Sequence, residues 1–499
     1  MSTAVETAQS QRAETGVPDP KRWWAMVVVD IAQLLIVLDA TVVNIALPKM
    51  QTALDISTAN RQWALTAYTL AFGGLLLLGG RIADYTGRKR AFIIGLLGFA
   101  AASAIGGLAQ NQGMLFGARA VQGAMAALMA PSALSLLTVA FTKPKERAMA
   151  FGIFGAIAGG GSAVGLILGG VLTEYASWRW SLLISTPIAI AAALGASAWV
   201  RDSRAHGNTR YDIPGAVTST LGLMALVYGF TQAAPKGPGE ASRWGSGEVI
   251  GLFVAAFVLL VGFVVIETRT RNPLLPLRVI RDRNRGGSYL VSLIIGVSLF
   301  ASFLFLSYYM QQTMHYTPLK SGIAFLPFTF GIVAGAMLST QILPRVGPRI
   351  PMTVGLSLAT VGMILLTTLG VHSGFWSHVF PIELIISIGM GIVFGPLTNT
   401  ALVGVGDHDA GVASALVNTA QQVGGSIGIS VLNTIAITAT TSFFAANPTK
   451  GQQVAVVHGY STAYWVSAGL MALGVIVAAL FIRARADQLH TESAVPAAA

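Results

Sequence analysis

Apolar runs of about twenty residues, broken by short clusters of charge or by Pro and Gly, recur along almost the whole chain. Each is long enough for a helix to cross a hydrocarbon layer of roughly 30 Å. Segments start near Trp23, Gln62, Ala91, Met114, Ala148, Trp180 and Ile213, then near Val249, Ser288, Ile323, Met352, Val379, Val412 and Tyr460. The pattern predicts an all-α polytopic membrane protein with 14 transmembrane helices. The polar stretch 1–22, which contains Glu6, Glu14 and Pro18, leads through Lys21 and Arg22 into the first run. That run is too long for the core of a signal peptide, so it is expected to stay as an anchor behind a disordered tail.

Charge placement orients these segments. Lys and Arg gather in cytoplasmic loops near helix ends. With the N-terminus inside, Lys49, Arg61, Arg179, Lys236, Arg243, Lys320 and Lys450 face outward, Arg119 lies within a span, and the other 23 of 31 fall inside. Both termini are therefore expected in the cytoplasm. The expected plan is a tail over 1–22, a six-helix bundle over 23–200, a linker with two extra spans and a basic loop over 201–286, a second six-helix bundle over 287–482, and a tail over 483–499. The halves echo each other, since Gly80 to Arg88 after the second span resembles Leu343 to Arg349 after the tenth. Transporters are commonly built from paired halves of this kind.

Composition narrows the function. Hydrophobic residues make up 54% and charged residues only 10%, against about 25% charged in a soluble domain. The net charge of +11 is spread over loops on one side of the membrane, so no nucleic-acid partner is expected. Cysteine is absent, which removes disulfides, thiolate metal sites and cysteine nucleophiles. None of the seven histidines lies deep in a span. No metal, no cofactor and no enzymatic constellation of nucleophile and base is expected.

Several segments carry a resemblance to a known family. Gly80, Asp84, Gly87, Arg88 and Lys89 have the spacing of the loop between helices 2 and 3 in the major facilitator superfamily. Leu115, Arg119, Gln122 and Gly123 in the fourth span, and Gly152, Gly161, Gly165, Gly169 and Gly170 in the fifth, resemble that family's arginine motif and its antiporter glycine motif. Leu166 stands where the glycine motif usually has proline. Leu38 to Pro48 in the first span resembles the signature of the fourteen-helix drug:proton antiporters. Tyr309 to Gln312 with Pro318, Gly322 and Pro327, and Ala410 to Ser414 with Asn418, Gln421, Gln422, Gly424, Gly425 and Gly428, resemble later motifs of the same group, with His315 replacing a glycine.

The resemblance implies a bacterial plasma-membrane exporter of lipophilic, possibly cationic, drugs or antibiotics, driven by protons and working by alternating access as a monomer among membrane lipids. A dedicated exporter of one metabolite, or a sensor or channel on the same fold, would carry many of the same motifs. In the family the loop of Asp84, Gly87 and Arg88 gates the cytoplasmic side, and the start of helix 13 near Gly411 is the expected partner of Asp84. Glycines four apart let helices approach closely, which makes Gly161, Gly165 and Gly169 candidate gating positions.

An ionisable side chain inside an apolar span is by default functional. Asp39 and Arg119 are the candidate proton-coupling residues, with Asp30 nearer the cytosolic end, and a purely structural Arg119 would account for the same motif. A lone charge at the depth of Asp39 is costly unless a cation such as Arg119 lies beside it. Helical geometry puts Asp30, Gln33, Thr41 and Asn44 on one arc of the first span and Asp39 on the opposite side. Asp39, Asn44, Tyr68, Gln122, Tyr309, Gln312, Asn418 and Gln421 are the candidate substrate-binding groups, although any amide among them could equally bond between helices. Glu383 is either a solvated helix-end carboxylate or a functional one.

Overall fold

The computed structural model describes residues 20–141, 143–203, 212–235, 242–270, 273–275, 277–405 and 407–484. Fourteen helices in it are long and apolar enough to cross a membrane. They are α1 (Arg22–Ala53), α2 (Trp63–Thr86), α3 (Arg88–Gly107), α4 (Gln112–Ala140), α5 (Met149–Ala176), α6 (Trp180–Trp199), α7 (Ile213–Ala233), α8 (Gly247–Arg269), α9 (Arg283–Thr313), α10 (Pro318–Val346), α11 (Arg349–Leu366), α12 (Phe375–Leu402), α13 (Val412–Ala446) and α14 (Gln452–Phe481). Several begin before the apolar run itself. Helix α14 starts at Gln452 rather than near Tyr460, and α9 at Arg283 rather than near Ser288, because a helix continues into the polar interface where its backbone bonds internally.

Helix contacts repeat with an offset of eight. The pairs α1–α5, α2–α4, α3–α4, α1–α6 and α3–α6 of one bundle return as α9–α13, α10–α12, α11–α12, α9–α14 and α11–α14 of the other. The weak echo in the sequence has a structural counterpart at the turns after α2 and α10, where Gly87 and Gly347 take φ of 113° and 72°. Only glycine adopts such values at little cost. Between the bundles, α2 meets α13 and α5 meets α10. The inserted α7 touches both α2 and α13, whereas α8 packs chiefly on α7 and exposes Val254, Phe257 and Val258, as a lipid-facing helix should.

The two ends of this assembly differ. One apolar core runs through the second bundle and into the half of the first bundle remote from the termini, taking in Leu47, Met50, Leu115, Leu166 and Leu182. The terminal half of the first bundle has its own core around Val29, Phe92, Phe99 and Met129, to which Ala415 of α13 adds from the other side. The bundles therefore join at the end away from the termini, called the far end below. Close crossing of α5 and α10 there needs glycine: a Cβ on Gly322 would collide with the Leu166 carbonyl oxygen, and one on Gly170 would lie 2.6 Å from the Leu319 Cα. Toward the termini, Gly152, Gly155 and Gly160 of α5 have open space around them.

Candidate functional site

Toward the far end of the first bundle, four spans converge on one buried network. Arg119 on α4 donates through Nη1 to Asp39 Oδ2 on α1 at 2.5 Å and to Gln122 Oε1 at 2.9 Å. Its Nε donates to the Ala64 carbonyl at 2.8 Å, and its guanidinium lies 4.5 Å from the centre of the Tyr68 ring, both on α2. Gln122 Nε2 completes the network by donating to Asp39 Oδ1 at 3.0 Å and to Ser103 Oγ on α3 at 2.6 Å. The side chains of Asp39 and Arg119 have no solvent exposure.

Local geometry explains why these groups meet. Arg119 and Gln122 are three residues apart and share a helix face. A Cβ on Gly123 would collide with the Tyr68 carbonyl oxygen, so this glycine lets α4 lie directly against α2 and brings Arg119 under the Tyr68 ring. On α1, Asp39 points to α4 while Thr41, two residues on, lies against Gly165 of α5. The two polar faces of the first span are thus both real, and the face bearing Asp39 meets neighbouring helices. A buried pair of opposite charges stands only when its remaining hydrogen-bonding capacity is largely met. Here Nε and Nη1 of the arginine have a carbonyl and an amide oxygen besides the carboxylate, and its plane has an aromatic face, while Nη2 has no hydrogen-bond partner among the described residues.

Other candidates lie elsewhere. Asn44 is buried near the bundle seam, and its backbone carbonyl accepts from Ser307 of α9 at 3.3 Å. Asp30 is buried, with Oδ1 lacking a hydrogen-bond partner. Tyr309 sits in the wall of the second bundle, where its hydroxyl donates to the Gly370 carbonyl at 2.6 Å. Gln312 lines a far-end pocket of about 410 Å³ with Lys49, Glu174 and His315. Asn418 is exposed, and the Gln421 backbone carbonyl meets Gly296 where α13 crosses α9. The network therefore brings together Asp39, Tyr68, Arg119 and Gln122, and leaves Tyr309, Gln312, Asn418 and Gln421 apart from it. Glu383 is 1% exposed, and neither carboxylate oxygen has a hydrogen-bond partner among the described residues.

The gating candidates divide by location. Gly161, Gly165 and Gly169 face Leu34, Thr41 and Val42 of α1, so that seam lies within the first bundle, and Gly170 is the position facing α10. Asp84 pairs at 2.9 Å with Arg88 of its own loop, while the Arg88 backbone N–H and the Lys89 ammonium bond to the carbonyls of Ser203 and Ser197. Gly411, the expected partner of Asp84, lies where side-chain surroundings are outside the described residues.

A seal at the far end was not foreseen. Arg61, read from the sequence as an outward-facing loop cation, is 4% exposed. Its Nη2 donates to Asn433 Oδ1 on α13 at 3.1 Å, and its guanidinium lies 4.0 Å from the centre of the Tyr308 ring on α9. Asn433 Nδ2 donates to the Thr58 carbonyl at 3.3 Å, Tyr308 donates to Gln51 Oε1 at 2.6 Å, and Gln311 donates to the Ile45 carbonyl at 3.1 Å. Positional counting of Lys and Arg finds the side of the membrane but carries no signal for burial against a helix hundreds of residues away.

Two pseudo-repeated bundles joined at one end, with a charged pair buried in one of them, define a polytopic membrane transporter. The chain belongs to the Major Facilitator Superfamily, whose family model matches residues 29–429. It is 45% identical to the puromycin resistance protein pur8 of Streptomyces alboniger, over 96% of both chains. It is 37% identical to the cephamycin export protein CmcT of Amycolatopsis lactamdurans, over 82% of this chain and 84% of that one. Among solved structures, a bacterial homolog of the human lysosomal transporter Spinster shares the fold with a TM-score of 0.66 at 15% identity, covering 97% of this chain and all of that one.

Proposed function

We propose that this transporter exports lipophilic small molecules, antibiotics among them, across a bacterial plasma membrane in exchange for protons. The termini lie in the cytoplasm and the far end faces outward, and a single chain works without a cofactor. The observation that carries proton coupling is the Asp39–Arg119–Gln122 network. Arg119 is also held by the Ala64 carbonyl, Gln122 Oε1 and the Tyr68 face, so when Asp39 takes a proton these neutral groups keep the guanidinium in place although its charge is no longer balanced. Proton binding to Asp39 frees α1 from α4, and because α1 also packs along α5, that release reaches the helix that meets the opposite bundle. Moving one charge down a 100 mV potential yields about 2.3 kcal/mol, enough for a useful concentration ratio per proton.

The relatives named for puromycin and cephamycin support an antibiotic-like substrate. Each of those names carries one compound, which favours a second reading, a dedicated exporter of a single metabolite. Reconstituted protein with an imposed pH gradient tests both. Accumulation of several unrelated lipophilic dyes, abolished by an uncoupler, is the expected result, and accumulation of only one compound class would establish the dedicated reading. Solute movement indifferent to the gradient would refute proton coupling.

A further inference from the structure

On the membrane side of the first bundle, the inserted pair α7–α8 leaves a crevice of about 710 Å³ against the far-end starts of α2 and α4, within the range of small-molecule sites. Phe116, Leu221, Met224, Ala225, Leu252 and Leu259 form apolar walls, and Asn60, Gln112 and Gln232 supply amides at the rim. Leu221 and Met224 are 46% and 44% exposed, so the crevice opens sideways toward lipid. On α7 it runs from Leu221 to Gln232, a helical rise of about 16 Å. That depth is close to half of a roughly 30 Å hydrocarbon layer, the thickness of a single leaflet.

Polarity along the crevice follows the same axis, with polar groups at the far-end rim and hydrocarbon walls below. The described lining contains no ionisable Lys, Arg, Asp or Glu. Asn60 donates to Gln112 Oε1 at 3.4 Å, and Gln232 donates to the Tyr228 hydroxyl at 2.5 Å, which leaves further amide donors for a neutral acceptor. An uncharged rim over a one-leaflet apolar slot matches the glycerol ester and upper acyl chain of a phospholipid, and it does not discriminate between headgroups. We propose that this crevice binds one acyl chain of a far-leaflet phospholipid, its ester held by Asn60, Gln112 and Gln232, and that the lipid wedges the inserted helices against the first bundle. The wedge has consequences for both halves, since Thr231 of α7 accepts from Gln62, the residue that caps α2, at 2.6 Å, and the Phe230 carbonyl accepts from Thr434 of α13 at 2.8 Å.

The test uses full-length protein in mild detergent, with phosphatidylethanolamine or phosphatidylglycerol added and bound lipid counted by native mass spectrometry. Ala225→Trp places an indole in the slot, and Val258→Trp, on the exposed outer face of α8, is the control. The expected result is one retained lipid in the wild type and in Val258→Trp, no preference between the two headgroups, and affinity lowered about tenfold or more, equivalent to about 1.4 kcal/mol, in Ala225→Trp. Photolabelling of the wild type with a diazirine-bearing acyl chain guards against a misfolded variant, and its label should map to Leu221–Ala225 and Leu252–Leu259. Unchanged lipid retention in a folded Ala225→Trp, strong preference for the anionic lipid, label spread evenly over α8, or displacement of the lipid by a transported dye would each overturn the proposal.

Discussion

Replacing Asp39 by Asn separates the transport role of the buried network from its structural one. The carboxamide keeps an oxygen for Gln122 Nε2 but sets an N–H against Arg119 Nη1, where a 2.5 Å charge-assisted bond stood. Two unit charges about 4 Å apart attract by about 4 kcal/mol at an effective dielectric of 20. Breaking one partner of a buried pair typically costs about 3–5 kcal/mol. Because Arg119 retains the Ala64 carbonyl and Gln122, the lower end, about 3 kcal/mol, is expected. The variant should melt several degrees below wild type in detergent while remaining folded at ambient temperature, and its pH-driven efflux in proteoliposomes should vanish. Adding Arg119→Gln removes the stranded charge, so the double variant should lose less stability than the sum of the singles, with a coupling of about 1–3 kcal/mol. Additive losses with wild-type efflux in Asp39→Asn would refute the coupling role. A large coupling energy with efflux intact would mark the pair as a clamp between α1 and α4 and nothing more.

The far-end seal gives a prediction made simple by the absence of cysteine. A thiol introduced by Ser307→Cys, at a position with no exposure, should resist membrane-impermeant maleimide, and Arg61→Ala should raise its labelling rate several-fold from the far side; equal rates would mean that the Arg61 contacts do not hold the seam. Gly170→Val drives a side chain into Leu319 across the bundle seam and should block closure and transport, whereas efflux at the wild-type rate would show that α5 and α10 need not approach so closely. Gly123→Val forces α4 away from the Tyr68 carbonyl, with an overpacking cost of about 1–3 kcal/mol read as a lower melting temperature. Glu383→Gln removes a charge-bearing group whose oxygens have no hydrogen-bond partner, so stability and efflux should both be retained; loss of efflux in a folded protein would bring Glu383 into the coupling path.

How far the sequence could be read follows from the kind of interaction that places each group. Span lengths are set by hydrocarbon thickness acting on each segment separately, which is why all fourteen helices were legible from apolar runs. Their ends were not, because Gln452 and Arg283 begin helices in the interface, where hydropathy is silent and backbone bonding decides. Asp39 and Arg119 announced themselves because a charge in an apolar span is costly unless answered by another. Gln122 followed from its spacing on the same face. Tyr68 was legible as part of the site, but its packing against the arginine was not, since that depends on Gly123 letting two helices close.

Residues whose placement depends on the partner bundle escaped this logic. Tyr309 and Asn418 share a polarity that suits a pocket wall, yet one bonds within its own bundle and the other stands exposed. Arg61 is the converse case, ordinary as a loop cation until Tyr308 and Asn433 cover it. It has no carboxylate partner among the described residues, and its contacts are an aromatic face and an amide. Contacts of that kind add modest energies, about 0.5–2 kcal/mol for the cation–π component, much less than removing one partner from the Asp39–Arg119 pair. A seam that must open in every cycle calls for this ranking. In the proposed cycle a proton undoes the charged pair inside one bundle, while the interface between bundles is held by glycine crossings, amides, a stacked arginine and one carboxylate, Glu174, which accepts from the Leu319 N–H at 3.0 Å, contacts to be released when α1 and α5 shift.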